Sequence, residues 1–217
     1  LPPMADDAQA PTLFAAAGLR ARALAAADEA ALQAFFEANP EYFLRVGDEP
    51  PRPDEARHEL ADLPPPHLPY RRQWILGLVG DGRLASIAAS QGIAAGEIAG
   101  IAVVTEGLVA PRCWHVGLYV LATGLHGQGV AAPLFGALED WARAQGALWL
   151  RLGVVQGNLP AERFWARLGF AELRIREGVP VGRRVNTVRV MMKPLASAGL
   201  GEYLDQVPRD RPGAQLP

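Results

Sequence analysis

The most specific chemistry in this chain lies in the heptapeptide His126-Gly127-Gln128-Gly129-Val130-Ala131-Ala132. Before it stands an apolar run at 114–121 that reads as a central strand, covered on both faces. After it, Val130, Leu134, Leu138 and Trp141 recur at helical spacing to about residue 145, which predicts a helix closed by Gly146. A strand that stops at a glycine turn and feeds a helix leaves first-turn N–H groups without intrahelical partners. The helix dipole adds positive potential at the same place. Such a turn is suited to a phosphate or pyrophosphate. Gly129 lets the backbone approach that group with no Cβ between them, and Pro133 has no N–H to lose in a first turn.

Three phosphate ligands compete for the turn. A kinase-type P-loop needs a lysine directly after its last glycine, and the only lysine in the chain is the distant Lys193. The dinucleotide fingerprint does match, as Gly127, Gly129 and Ala132. The following strand, however, ends Val154-Val155-Gln156-Gly157-Asn158 with no acidic ribose ligand, and too little chain follows for a complete dinucleotide domain.

The third reading covers more of the chain. The run 126–131 resembles the Arg/Gln-x-x-Gly-x-Gly/Ala signature of the GNAT superfamily of acetyl-CoA-dependent N-acetyltransferases. Asn158, Ala161, Phe164 and the closing Leu168-Gly169-Phe170 resemble that family's second motif, Asn-x-x-Ala-x-x-Phe-Tyr-x-x-x-Gly-Phe. The resemblance is strong over 114–170, and the order of elements extends it to 19–193. It implies an α/β fold of α+β type: a mixed, mostly antiparallel sheet with a splayed central strand and helices on both faces. It also implies acetyl-CoA as co-substrate, and no metal. The amides of Gln128, Gly129, Val130, Ala131 and Ala132 would hold the pyrophosphate, beside His126 and Gly127. The backbone at Val120, Leu121 and Ala122 would pair with the pantetheine arm like an added strand, and Asn158 would lie near the thiol. Asn158 reads equally well as a helix cap. Two positions depart from the pattern. His126 replaces the usual Arg or Gln, and Trp165 stands where a tyrosine often protonates the leaving thiolate. An indole N–H donates a hydrogen bond but has no useful acidity.

Acetyl transfer to an amine also needs a polarised carbonyl and a proton acceptor. The amide of Leu121 is the candidate for the first. Glu106, His115 and the more distant Glu41 and Tyr42 are candidates for the second, with Tyr119 and Tyr70 as possible acids. Each has a plainer reading: His115, flanked by apolar residues, as a core histidine, and Glu106, beside Gly107, as a turn residue. Cys113 and His115 lack a third partner at supporting spacing, so neither a metal site nor a nucleophile pair is assigned. The acceptor is a small-molecule amine or a peptide or protein amine, acetylated directly in a ternary complex. The missing tyrosine keeps a second class open, a non-catalytic acyl-CoA-binding sensor or interaction module.

The remaining elements frame this core. A loose arm is expected at 1–18, a single domain at 19–193 and a flexible tail at 194–217. Within the domain the patterning predicts a strand at 19–24, helices at 28–39 and 54–63, and strands at 73–79, 97–105, 149–155 and 184–193. Residues 39–43 read as an aromatic turn, residues 84–95 carry no clear pattern, and the proline-bracketed helix at 54–63 reads as a surface flap. A net charge of −2 and a pI near 6.1 offer no electrostatic footprint for nucleic acid. No apolar run approaches the ~20 residues of a membrane span, and the start lacks the pattern of a secretory signal. The single cysteine, Cys113, excludes an intramolecular disulfide and suits a reducing cytosol. The expectation is a cytoplasmic monomer or homodimer.

Overall fold

The computed structural model describes residues 10–82 and 87–214. The chain opens on a hairpin of β1 (Phe14–Ala16) and β2 (Leu19–Ala23). Ala17 and Gly18, both at positive φ, form its two-residue turn. Helices α1 (Glu29–Ala38), α2 (Glu41–Gly47) and α3 (Glu55–Ala61) lead to β3 (Arg72–Gly80). A short α4 (Ile87–Ser90) precedes the antiparallel pair β4 (Ile98–Glu106) and β5 (Cys113–Leu121). Then come α5 (Ala131–Ala144), β6 (Trp149–Val155), α6 (Leu159–Arg167), β7 (Ala171–Val181), β8 (Arg184–Pro194) and α7 (Leu200–Gln206). The eight strands form one sheet in the order β1-β2-β3-β4-β5-β6-β8-β7. Only β5 and β6 run parallel, because the crossover helix α5 joins them.

Both faces of the sheet are covered. On one, Leu134, Phe135, Leu138 and Ala142 of α5 pack on Leu76, Val104, Trp114, Val116, Leu150 and Leu152. On the other, Leu32, Phe35 and Phe36 of α1 and Ala56 of α3 meet Val79, Ile101, Val103 and Leu118. Each such fully buried Leu or Phe contributes roughly 2 kcal/mol. The mixed, mostly antiparallel sheet with helices on both faces is the fold that the resemblance implied.

The central strands separate past Val116. β5 pairs with β6 only over Cys113↔Trp149 to Val116↔Leu152. Beyond Val116, β6 continues on β8 as far as Val155↔Val188, and β5 continues on β4 alone. A bulge falls at the point of divergence: Val104 opposes Val116 while Val103 opposes Leu118, so Gly117 has no partner. The extra residue bends β5 and shifts the alternation of its side chains. Cys113 and His115 therefore share a face with Gly117 and Leu118, and Tyr119 and Leu121 turn toward α5.

Four expectations need correction. Residues 14–16, placed in a loose arm, form β1, because Phe14 is buried against Trp141 of α5, ring centroids 5.6 Å apart. Of residues 39–43, read as an aromatic turn, 41–43 open α2, with Phe43 edge-on to Phe36 at 5.2 Å. The tail folds back: Leu195, Tyr203, Val207 and Asp210 are buried, and Tyr203 packs on Trp149. Lastly β7, absent from the expected strands, is an edge strand whose charged, half-exposed sequence hides its pairing with β8. In the unassigned region 84–95, residues 84–86 lie outside the described residues, and Ile87–Ser90 is helical. No described helix is long and apolar enough to cross a membrane.

Candidate active site

Two hollows flank the free end of β5. The first, a cleft of about 520 Å³, is bounded by Tyr119, Val120 and Leu121, by the turn with His126, Gly127, Gly129, Ala131 and Ala132, and by Asn158, Phe164 and Trp165. It brings together all but three of the residues expected to hold the cofactor. Of those, Val130 is buried in the core beneath the turn, Ala122 follows Leu121 at the strand end, and Gln128 lies within the turn.

The turn is built by its glycines. Gly127 and Gly129 both adopt left-handed φ, +74° and +76°, and a Cβ on either would meet nothing within 4 Å. This open space is the approach to the amides. Among the described residues, the N–H groups of Gly129, Val130, Ala131 and Ala132 donate to no protein acceptor. Gln128 is different, because its N–H donates to Leu125 O at 3.2 Å. The donor set is therefore four amides, one fewer than expected. His126 Nε2 donates to Leu121 O at 3.1 Å, which ties the turn to the strand end.

The strand edge is equally exposed. Ala122 N–H donates to Ala99 O on β4 at 2.8 Å. In an antiparallel ladder, successive residues point their N–H groups to opposite sides. The amides of Leu121 and Tyr119 therefore point away from β4, into the gap left by β6. Asn158 precedes α6 but makes no cap hydrogen bond with its side chain. The capping contact comes from Glu162, whose Oε1 accepts from Gly157 N–H at 3.0 Å. The side-chain amide of Asn158 faces the cleft without a protein partner among the described residues.

The second hollow, of about 650 Å³, lies on the opposite face, over Gly117 and Leu118. Its walls come from α2, α3, β3 to β7 and the loop at 62–68, and among the described residues Tyr42 alone lines both hollows. A 3₁₀ turn at Thr123–Leu125 locks the α1–α2 junction to the end of β5. Asn39 Oδ1 accepts from Thr123 N–H at 2.8 Å, and Thr123 Oγ1 donates to Glu41 at 2.6 Å. Glu41 is thereby held below the usual carboxylate range, mainly by that hydroxyl.

The expected bases occupy different places. Glu106 opposes Trp114, at the start of β5 and at the other end of the ladder from Leu121. Its carboxylate accepts from Arg71 Nη1 at 2.8 Å, and it borders neither hollow. His115 does line the second hollow, but burial, followed by the charge of Arg151, lowers its pKa to about 3. Arg151 Nη1 faces His115 Nδ1 at 3.4 Å, which puts the ring proton on Nε2 and leaves no lone pair for an amine proton. The hydroxyl of Tyr119 donates to Ala131 O at 2.9 Å, and burial raises its pKa far above the usual range.

A residue that the sequence reading passed over lies in the second hollow. Burial first, and then the neighbouring Asp62 and Glu55, push Glu59 up to about 7. Among the described residues it has no hydrogen-bond or ion-pair partner. Glu55, by contrast, is paired with Arg52 at 2.8 Å. Burial, followed by the charges of Glu59 and Glu55, raises Tyr42 to about 12, so the phenol sits close enough to feel both carboxylates. The signal was available in the spacing 55, 59 and 62, which places three acids on one helical face.

The sequence model of the Acetyltransferase (GNAT) family matches residues 32–170. This chain is a GNAT acetyltransferase. It is thus an acetyl-CoA-dependent N-acetyltransferase, and the matched region runs from within α1 to Phe170, just past α6. No curated protein sequence matches it. Solved structures share its fold at low identity. An acetyltransferase from Thermus thermophilus is 20% identical over 81% of this chain and 96% of its own, with a TM-score of 0.59. Spermidine N-acetyltransferase from Vibrio cholerae, solved with CoA and spermine, is 17% identical over 87% and 99%, with a TM-score of 0.58. A GCN5-related N-acetyltransferase from Brucella melitensis reaches a TM-score of 0.62 at 15% identity over 91% and 82%.

In this acetyltransferase Trp165 is packing. Its ring meets Phe135, Phe170 and Phe164 edge-on at 4.8 to 5.3 Å, and little of it is exposed. We expect Trp165→Phe to keep kcat within a few-fold, because Phe retains most of the edge contacts. It should lower stability by about 1 kcal/mol through the smaller volume. A collapse of turnover with folding and CoA affinity intact would give the indole a chemical role instead.

Proposed function

We propose that the protein moves the acetyl group of acetyl-CoA directly onto a primary amine, with the cofactor in the cleft and the amine in the second hollow. The observation that carries this reading is that the two hollows, on either side of β5 past its bulge, share Tyr42 in their walls. The four free turn amides hold the pyrophosphate. The edge of β5 at Tyr119 and Leu121 pairs with the pantetheine arm, and the Leu121 amide polarises the thioester carbonyl. The amine nitrogen attacks that carbon and the C–S bond breaks. The departing thiolate accepts hydrogen bonds from the Asn158 side chain and the Tyr42 hydroxyl until solvent protonates it.

Glu59 takes the proton released from the amine. A carboxylate with a pKa near 7 is a far better acceptor than an ordinary one, and near neutrality much of it is ionised. A covalent acetyl-enzyme has little support here. The only thiol, Cys113, is fully buried in the cluster under α7, and burial pushes it up to about 12, well away from the reactive thiolate range.

The test is the pH profile. Activity should rise with pH through about 7 as Glu59 ionises, with Glu55, Asp62, Tyr42 and Arg52 as the charged and titratable groups around it. Glu59→Gln should lower kcat ~10²-fold and abolish that acidic limb. Glu106→Gln should leave both in place. If the limb survives in Glu59→Gln and vanishes in Glu106→Gln, the proton acceptor is Glu106.

A further inference from the structure

The acceptor hollow has two chemically opposite ends. At one, α2 and α3 present Tyr42, Glu55, Glu59 and Asp62. At the other, Arg151 of β6, Arg176 of β7 and Arg209 of a C-terminal 3₁₀ turn (Pro208–Asp210) reach the lining, with Arg174 behind them. Among the described residues, one buried carboxylate serves this second end. Asp210 binds Arg151 through both oxygens, at 2.6 and 2.9 Å, binds Arg174 Nε at 3.3 Å and accepts from the Tyr203 hydroxyl at 2.5 Å. Its capacity is thereby used. Among the described residues, Arg176 has no hydrogen bond or ion pair, and Arg209 Nε is buried with no hydrogen-bond partner. Burial, with repulsion from the neighbouring guanidiniums, lowers the pKa of both side chains.

We propose that Arg176 and Arg209 bind the carboxylate of the acceptor, so that the substrate is a small amphoteric, amino-acid-like amine rather than a simple amine or polyamine. The inference rests on the reading of this hollow as the acceptor site. A guanidinium keeps its charge in such a place and presents a fork of donors matched to a carboxylate. A carboxylate here would supply the acceptor that Arg209 Nε lacks and a counter-charge for Arg176. The amine of the same molecule then faces Glu59. Fixing both ends orients the nucleophile toward the bulge of β5. An amine without the carboxylate would leave the two guanidiniums desolvated and unpaired, and a site built to pair a group rejects analogues that lack it.

The test compares matched amines with and without the carboxylate: glycine with methylamine, 4-aminobutyrate with propylamine, and lysine with cadaverine. The graded lengths sample the span between the two ends. Thiol release from acetyl-CoA should favour the carboxylate member of the best-fitting pair by ~10²-fold or more in kcat/KM. Arg176→Gln and Arg209→Gln should each shrink that ratio to within a few-fold, mainly through KM, while Arg176→Lys keeps part of it. CoA titration of each variant verifies its fold. Equal or better use of the simple amines by the unmodified enzyme would overturn the carboxylate subsite and leave the acetyltransferase reading standing. So would a ratio unmoved by both Gln variants. Absence of thiol release with every amine, with CoA still bound, would instead remove the acceptor assignment and the inference with it.

Discussion

Gly129→Asp should abolish tight acetyl-CoA binding while leaving the protein folded. Position 129 has φ +76° and open space where a Cβ would project. Aspartate tolerates this left-handed conformation better than most residues, so the backbone cost is about 1 kcal/mol. The side chain would enter the volume in front of the amides of Val130, Ala131 and Ala132, the site proposed for the pyrophosphate. A carboxylate ~4 Å from a phosphate charge costs ~4 kcal/mol at an effective dielectric of about 20. The expected loss is ~10²–10³-fold in Kd, read by calorimetric titration with CoA. Gly129→Ala separates the contributions: it adds the Cβ without the charge and should cost only several-fold. A Kd for the Asp variant within a few-fold of the parent would show that the phosphates bind elsewhere.

The turn was legible because its chemistry is local. Glycine spacing, the preceding apolar strand and the helical period after it are all read from adjacent residues, and β6 spans the 149–155 that its pattern predicted. What stayed hidden depends on contacts distant in sequence. The arginine end of the hollow gathers Arg151, Arg176 and Arg209 from three elements, and its organising carboxylate, Asp210, comes from a stretch whose prolines and glycines read as a tail. In Ala171–Val181 the burial is irregular, two bulges interrupt its pairing with β8, and Pro180 sits near its end. Period-two alternation, the usual strand signal, is therefore lost. Glu59 was passed over for another reason. Its helix reads as a surface flap, where acids draw no notice until Tyr42 of α2 is seen beside them.

Asp210→Asn should be among the most destabilising substitutions in the chain, by ~3–5 kcal/mol, because it takes the counter-charge from the buried Arg151 and weakens the contact with Arg174. Asp210 is fully buried, and its partners Arg151 and Arg174 are almost as inaccessible. The change is small in volume and keeps one acceptor, so the loss reports charge and hydrogen bonding rather than a cavity. For a protein of this size the melting temperature should fall by roughly 10 °C. The same aspartate gives stability a defined acid dependence. Burial alone would raise its pKa, but hydrogen bonds and charge from Arg151, with help from Tyr203 and Arg174, outweigh that and hold it at about 2. Because the folded pKa lies below the ordinary 3.8, the stabilisation is complete above about pH 4. It is lost as pH falls from there through about 2, and amounts to about 2 kcal/mol. Chemical denaturation of the parent should show this limb, and the Asn variant should lack that part of it. A double-mutant cycle with Arg174→Gln should give a coupling above about 1 kcal/mol. If Asp210→Asn melts within about 2 °C of the parent, against the fall expected for a protein of this size, the C-terminal turn does not close over the arginines in solution. The arginine end of the second hollow would then have to be built without it.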